Sequence, residues 1–70
     1  MDNKWKERLV IEYRELVDKI ARLDNFIELT KNDKTVNRDI LLEQLEIMYH
    51  YLEILEKRLI IELTKGEKYE

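Results

Sequence analysis

The sequence predicts an all-α fold: an antiparallel hairpin of two helices that assembles into a homo-oligomeric helical bundle. Two segments carry apolar residues at alternating steps of four and three, which is the repeat of helices packed side by side at a shallow angle. One short polar segment separates them, and the 70 residues contain one Gly and no Pro. Because β-rich and loop-rich folds need the missing turn residues, we expect residues 1–70 to form a single helical-hairpin domain.

The first helix is expected to run from about residue 4 to residue 30. Asp2 or Asn3 is the expected N-cap, because either side chain can accept a hydrogen bond from an amide of the first turn. The apolar positions form a seam, at Leu9, Tyr13, Leu16, Ile20, Leu23 and Ile27. In the polar segment 30–37, Asn, Asp and Thr side chains compete with helical hydrogen bonds and should end the helix.

The second helix is expected to span about residues 38–63, with Asn37 as N-cap and Val36 packed on Leu41 as a hydrophobic staple. Gly66 should lie just beyond its end, because glycine often terminates helices. Its seam repeats the spacing of the first, at Leu41, Leu45, Met48, Leu52, Leu55 and Leu59. In an antiparallel hairpin, seam residues should pair where their numbers sum to 68.

Self-association is predicted from an apolar stripe that two helices cannot cover. Isoleucine recurs every seven residues outside the second seam, at Ile40, Ile47, Ile54 and Ile61. A chain of this size has a small core, and a monomer rarely tolerates an open apolar patch of that length. The expected partner is therefore the chain itself, in a homodimeric four-helix bundle or in a larger ring of hairpins.

The composition argues against an enzyme and against a resident cofactor. The chain has no Cys, no Ser and one His, so the usual nucleophilic constellations are missing. Glu46, His50 and Glu53 have spacings that suit a metal, but the Glu-x-x-His motif of diiron bundles is off by one residue. The three side chains would also face solvent, so we expect no metal there.

Charge and hydropathy bound the partners further. The net charge is −3, and no Lys or Arg occurs between Asp39 and Glu56. Binding to a phosphate backbone needs a basic face, so the acidic second half disfavours nucleic acid as a partner. No apolar run is long enough to span a membrane, and the absence of Cys fits a reducing compartment, so a cytoplasmic protein is expected.

Three polar residues stand out on the second helix because they repeat every seven positions between the seam and the isoleucines. They are Gln44, Tyr51 and Arg58. One interpretation is that they fix the register of the helices, with Arg58 in salt-bridge reach of Glu12. The other is that Tyr and Arg from neighbouring chains line a pocket for an anionic, aromatic ligand. Both interpretations stay open at this point.

A second cluster of candidate ligand-binding residues lies on the first helix, at Arg8, Tyr13 and Arg14, with Trp5 close by. Trp and Arg at one end of a helix are frequent binding hot spots. The alternative is structural, since Trp5 would also close the open end of the hairpin by packing against Leu63.

A family resemblance rests on the segment Leu23-Asp24-Asn25-Phe26-Ile27, the polar loop, and then Leu41-Leu42-Glu43-Gln44-Leu45, Met48, Tyr51, Ile54-Leu55 and Arg58. From about Arg8 to Ile61, the chain resembles a family of small phage proteins first labelled from crAss-like phages. Its architecture also resembles the small helical oligomers, called sponges, with which phages block CBASS or Thoeris immunity by trapping cyclic nucleotides or related signals between protomers.

These resemblances imply a phage anti-defence protein in the host cell cytoplasm that sequesters a nucleotide second messenger. The ligand residues named above follow from their chemistry, because no sponge motif matches them one by one. The alternative is a helical protein–protein interaction module that binds a host or phage protein without a ligand. A small RNA-binding bundle is a third candidate, which the acidic second helix disfavours.

Overall fold

A computed structural model shows two long helices, joined by a short loop, that pack against each other as a hairpin. The structure describes residues 4–68, apart from the side chains of Leu63 and of residues 65–68. Helix α1 is Lys4–Leu29 and helix α2 is Arg38–Lys68. The molecule measures 57 × 17 × 13 Å. The predicted hairpin is confirmed, whereas its assembly with further copies stays a prediction.

The core follows the two predicted seams. All twelve seam residues are buried or half-buried, and the buried ones are Leu9, Leu16, Ile20, Ile27 and Leu55. Most of the half-buried seam residues pack against this core, namely Tyr13, Leu45, Met48, Leu52 and Leu59. Each buried Leu or Ile contributes about 1.5–3 kcal/mol relative to an exposed one, so a core this narrow supports a hairpin of modest stability.

The loop is held by short-range hydrogen bonds. At the end of α1, the Thr30 hydroxyl donates to the Phe26 carbonyl at 2.7 Å. Asp33 Oδ1 then accepts from both the amide and the hydroxyl of Thr35, at 2.9 and 2.6 Å. These two donors hold the pKa of the Asp33 carboxyl below its ordinary value, since they favour the charged form.

Helix α2 begins as the sequence predicts. Asn37 Oδ1 accepts a hydrogen bond from the Ile40 amide at 3.2 Å, which confirms Asn37 as the N-cap. Val36 and Leu41, the predicted staple, are both half-buried. Arg38 adds a link between the helices, because its Nη1 donates to the Ile27 carbonyl at 3.2 Å. That carbonyl lies in the last turn of α1, where backbone acceptors lack helical donors.

The ends of the two helices differ from the prediction. Gly66 does not stop α2, which continues through it to Lys68, and no described glycine has a positive φ. Glycine inside a helix costs only about 1 kcal/mol, and neither proline nor a polar loop comes directly after it to break the backbone hydrogen bonds. Helix α1 ends at Leu29, one residue before the prediction. The predicted caps Asp2 and Asn3 lie outside the described residues.

Candidate ligand-binding face

Outside the seam, the geometry of the helices divides the surface into two sides. The side that carries the isoleucine stripe, here called the stripe face, consists of residues 5, 8, 12, 15, 19, 22, 26 and 29 of α1 and 40, 44, 47, 51, 54, 58 and 61 of α2. The opposite side, here called the acidic face, consists of residues 7, 10, 14, 17, 21, 24 and 28 of α1 and 39, 42, 46, 49, 53, 56 and 60 of α2. The division follows from 3.6 residues per turn and the antiparallel packing.

The isoleucine stripe is open to solvent in the single hairpin. Ile47 is 63% exposed and Ile54 is 51% exposed, although burying a side chain of this kind is strongly favourable. Ile40 and Ile61, at the ends of the stripe, are exposed to a similar degree, and so are Phe26 and Leu29 on the same face of α1. The stripe face therefore presents a row of exposed isoleucines about 30 Å long, from its length in residues and the helical rise.

Gln44, Tyr51 and Arg58 all lie on the stripe face, between the seam and the isoleucines, and all three are exposed. Within the described part of the chain, none of these side chains forms a hydrogen bond or ion pair. Glu12 and Arg58, which the sequence predicts to lie in salt-bridge reach, form no ion pair in the single hairpin. An exposed pair of this kind gains at most about 1 kcal/mol and must order two long side chains, so its absence is not costly.

The candidate cluster on α1 is separated by the fold. Arg8 lies on the stripe face, whereas Arg14 lies on the acidic face. Tyr13 is a seam residue, and its hydroxyl donates to Glu56 Oε1 at 3.4 Å, which directs it toward the acidic face. Arg8 therefore lies on the same face as Gln44, Tyr51 and Arg58 of α2, whereas Tyr13 and Arg14 do not.

Trp5 lies at the open end of the hairpin and is 44% exposed. The Lys6 ammonium lies 5.5 Å from the centroid of its ring, within the range of a cation–π interaction. The side chain of Leu63, against which Trp5 was expected to pack, lies outside the described residues.

The two faces differ in charge. Among the described side chains, the stripe face carries four basic residues and two acidic ones: Arg8, Lys19, Arg22 and Arg58, with Glu12 and Glu15. The acidic face carries one basic residue, Arg14, and seven acidic ones: Glu7, Asp24, Glu28, Asp39, Glu46, Glu53 and Glu56. An anion is therefore attracted to the stripe face and repelled from the acidic face, although the chain as a whole is acidic.

Sequence reasoning missed this separation, and with it Lys19 and Arg22. The charges of the two halves of the chain do not reveal the separation, because each side of a hairpin mixes residues from both halves. The signal was available in the heptad positions of α1, because residues 5, 12, 19 and 26 and residues 8, 15, 22 and 29 repeat every seven like the isoleucines of α2.

Two shallow depressions on the described surface are each formed by a single helix. One is lined by Glu43, Glu46, Ile47 and His50, and another by Lys6, Glu7, Val10 and Ile11. Binding sites for small molecules usually bury most of the ligand between several elements. A depression on the outside of one helix cannot do so.

His50 is exposed on the outer side of α2, beside Glu43 and Glu46. Among the side chains that the structure describes, no group of three or more His, Asp or Glu is arranged to hold a metal ion. Glu46 and Glu53, like His50, are exposed to solvent.

The family model of Sequestin matches residues 3–61. The chain belongs to the Sequestin family. Searches of the curated proteins and of the solved structures find no match.

The part of this Sequestin-family chain that matches contains both seams, the loop and the whole isoleucine stripe. It ends at Ile61, the last residue of the stripe, and the final two turns of α2 lie beyond it. The resemblance that the sequence suggested, from about Arg8 to Ile61, covers nearly the same span. No helix in the described part of the chain is both long and apolar enough to cross a membrane.

Proposed function

We propose that this Sequestin-family hairpin is a binding protein without enzymatic activity that sequesters a cyclic or modified nucleotide immune signal in pockets between protomers. Its biological role would be that of a phage anti-defence protein in the host cytoplasm. The observation that carries the proposal is the stripe face, where exposed Tyr51 and Arg58 stand beside open apolar surface on the more basic side of the hairpin. The family name is compatible with such a role, since it describes sequestering.

The chemistry of the three α2 residues suits a nucleotide. The Arg58 guanidinium presents a planar fork of N–H donors that matches two phosphate oxygens. Tyr51 offers a flat ring on which a base stacks, an interaction worth about 1–3 kcal/mol for each base. The Gln44 amide can both donate to and accept from the edge of a base. Arg8 and Lys19 add positive charge to the same face.

Oligomerisation would turn this face into an enclosed site. The isoleucine stripe favours contact with another copy, and Tyr51 and Arg58 lie directly beside it on α2. Residues at the edge of such a contact become partly buried, which strengthens their interactions with an anion because less water screens them. Symmetry would repeat the site, so one assembly would hold more than one ligand.

The first test is a thermal-shift screen with cyclic dinucleotides, cyclic trinucleotides and modified adenine nucleotides. A tight ligand raises the melting temperature, because it binds the folded state alone. Two tyrosines supply a matched pair of variants. Tyr51 on the stripe face is 43% exposed, and Tyr49 on the acidic face is 45% exposed. We expect Tyr51→Leu to reduce the shift and Tyr49→Leu to leave it unchanged.

One observation favours the second candidate, an interaction module. The apolar depression at Val10 and Ile11 lies one to two turns from exposed Trp5, and Trp is frequent in protein-binding hot spots. If no nucleotide in the screen raises the melting temperature, the result would support this module, in which α1 binds a host or phage protein.

A further inference from the structure

We propose that a second copy of this chain docks on the stripe face about a two-fold axis perpendicular to the helices. In this dimer α2 packs antiparallel on the partner's α2, and α1 packs antiparallel on the partner's α1. The dimer follows from the pattern of apolar and charged residues alone. Only the ligand site within it rests on the proposed function.

The first observation is the symmetry of the isoleucine stripe. Ile47 and Ile54 lie on either side of Tyr51, and Ile40 and Ile61 lie one further heptad away in each direction. A two-fold axis at the level of Tyr51 therefore places the stripe of one copy on the stripe of the other along its whole length. These exposed side chains then cover one another without any further partner.

The second observation is the order of charges on the same face of α1. Two acidic residues, Glu12 and Glu15, are followed by two basic ones, Lys19 and Arg22. Antiparallel packing centred on residue 17 sets Glu12 beside the partner's Arg22 and Glu15 beside the partner's Lys19. A parallel arrangement would instead place like charges together, which is destabilising.

The two centres coincide in the hairpin. Residues 17 and 51 lie at the same level, because the seams pair where residue numbers sum to 68. The hydrogen bond between Tyr13 and Glu56 agrees with this register to within one residue. The apolar pattern of α2 and the charge pattern of α1 thus specify one and the same axis independently.

A two-fold axis parallel to the helices fits the surface less well. It would pack α2 on the partner's α1, so that Ile47 and Ile54 would cover the charged groups of Lys19 and Glu12. Burying charges against isoleucine without partners is costly.

The perpendicular axis makes the proposed ligand site a shared one. Gln44 and Arg58 lie one heptad on either side of Tyr51, so Arg58 of one copy lies at the level of Gln44 of the other. The Tyr51 side chains of both copies lie near the axis. Each of the two equivalent sites then combines groups from both chains and is incomplete in a monomer.

Distance measurement between spin labels tests the axis directly. The chain has no cysteine, so a single Lys34→Cys substitution in the exposed loop takes one nitroxide label per copy. With the perpendicular axis the loops lie at opposite ends of the dimer, and the labels should be about 50 Å apart from the helical rise. A separation below about 25 Å would place the loops together and overturn the proposal. A monomer or a ring at micromolar concentration would overturn it as well.

Charge exchange gives a second test. Glu12 and Arg22 lie about 15 Å apart along one helix, so they can interact only across the dimer. We expect Glu12→Arg to raise the dissociation constant of the dimer roughly tenfold, and Glu12→Arg with Arg22→Glu to restore it. The double variant is the decisive measurement. A single substitution of Arg22 would be ambiguous, because Arg22 also pairs with Asp18 in its own chain. No restoration would contradict the proposed register.

Arg14 and Asp24 provide the matched control, since they carry opposite charges, ten residues apart, on the acidic face. Exchanging the two charges should leave the dissociation constant of the dimer unchanged. A single substitution that weakens the dimer, with recovery in the double variant, would show that the acidic face docks instead. Neither experiment needs a ligand. The dimer geometry and the nucleotide proposal can therefore fail separately.

Discussion

The hydroxyl of Tyr13 on α1 donates a hydrogen bond to Glu56 on α2, at 3.4 Å across the seam. The contact is exposed and long, and it keeps the polar end of Tyr13 on the acidic face, while the ring packs against the core. Hydrogen bonds of this kind contribute about 1 kcal/mol or less. Tyr13 is therefore better explained as a seam residue than as part of a ligand site.

Removing only this hydroxyl tests that assignment. We expect Tyr13→Phe to change the free energy of unfolding by less than about 1 kcal/mol and to leave any nucleotide affinity unchanged. Urea denaturation and calorimetry measure the two quantities. A folded Tyr13→Phe protein that no longer binds the ligand would return Tyr13 to the site.

The isoleucine stripe is expected to mediate self-association. Ile47→Glu combined with Ile54→Glu should dissociate the assembly, because each unpaired charge costs several kcal/mol when it is buried in the contact. Sedimentation equilibrium at micromolar concentration measures the effect. Ile60→Glu is the control, since Ile60 is 59% exposed but lies on the acidic face. If wild-type protein is a stable 8.7 kDa monomer under these conditions, the stripe has another role.

The N-cap of α2 should contribute measurably to stability. Asn37→Ala removes the acceptor of the Ile40 amide and is expected to cost about 1 kcal/mol. Asn25 lies exposed in the interior of α1, and there Asn25→Ala should be neutral or slightly stabilising because Ala is the better helix former. Denaturant unfolding of both variants makes the comparison. Equal losses would show that Asn37 does not act as a cap.

The loop contains a carboxyl group whose titration reports on its structure. Hydrogen bonds from Thr35 lower the pKa of Asp33, so the charged form is favoured in the folded protein. The resulting stabilisation is present above the unfolded pKa and is lost as the pH falls through the lower folded pKa. Thr35→Ala should raise the pKa of Asp33 in a carboxyl-detected NMR titration. An unchanged value would mean that the hydroxyl bond contributes little in solution.

Much of this architecture was predictable because its determinants are local and periodic. The seam from Leu9 to Leu59 follows from the spacing of apolar residues, and the start of α2 follows from the chemistry of Asn37. The end of α2 was not predictable from Gly66, since the effect of one glycine depends on whether its neighbours also favour ending the helix. The ion pair between Glu12 and Arg58 does not form in the single hairpin, because opposite charges at similar heights on the two helices do not guarantee an exposed contact.

The candidate site was predictable in part. Gln44, Tyr51 and Arg58 share one face because a heptad repeat returns to the same side of a helix. The grouping of Arg8 with them, and the separation of Arg14, required the packing of the two helices. A ligand site between chains depends on the assembly. The periodicity of one chain predicts that assembly only indirectly, from the apolar surface that the single hairpin leaves exposed.

The most direct measurement is calorimetric titration of the nucleotide identified by the thermal-shift screen into wild type, Arg58→Ala and Arg14→Ala. Both arginines are exposed, but they lie on opposite faces of the hairpin. We predict that Arg58→Ala weakens binding by about 1.5–3 kcal/mol, the range for a lost charged hydrogen bond, and that Arg14→Ala binds like wild type. Circular dichroism confirms that each variant is folded. Unchanged affinity in folded Arg58→Ala, or a loss confined to Arg14→Ala, would contradict a site on the stripe face.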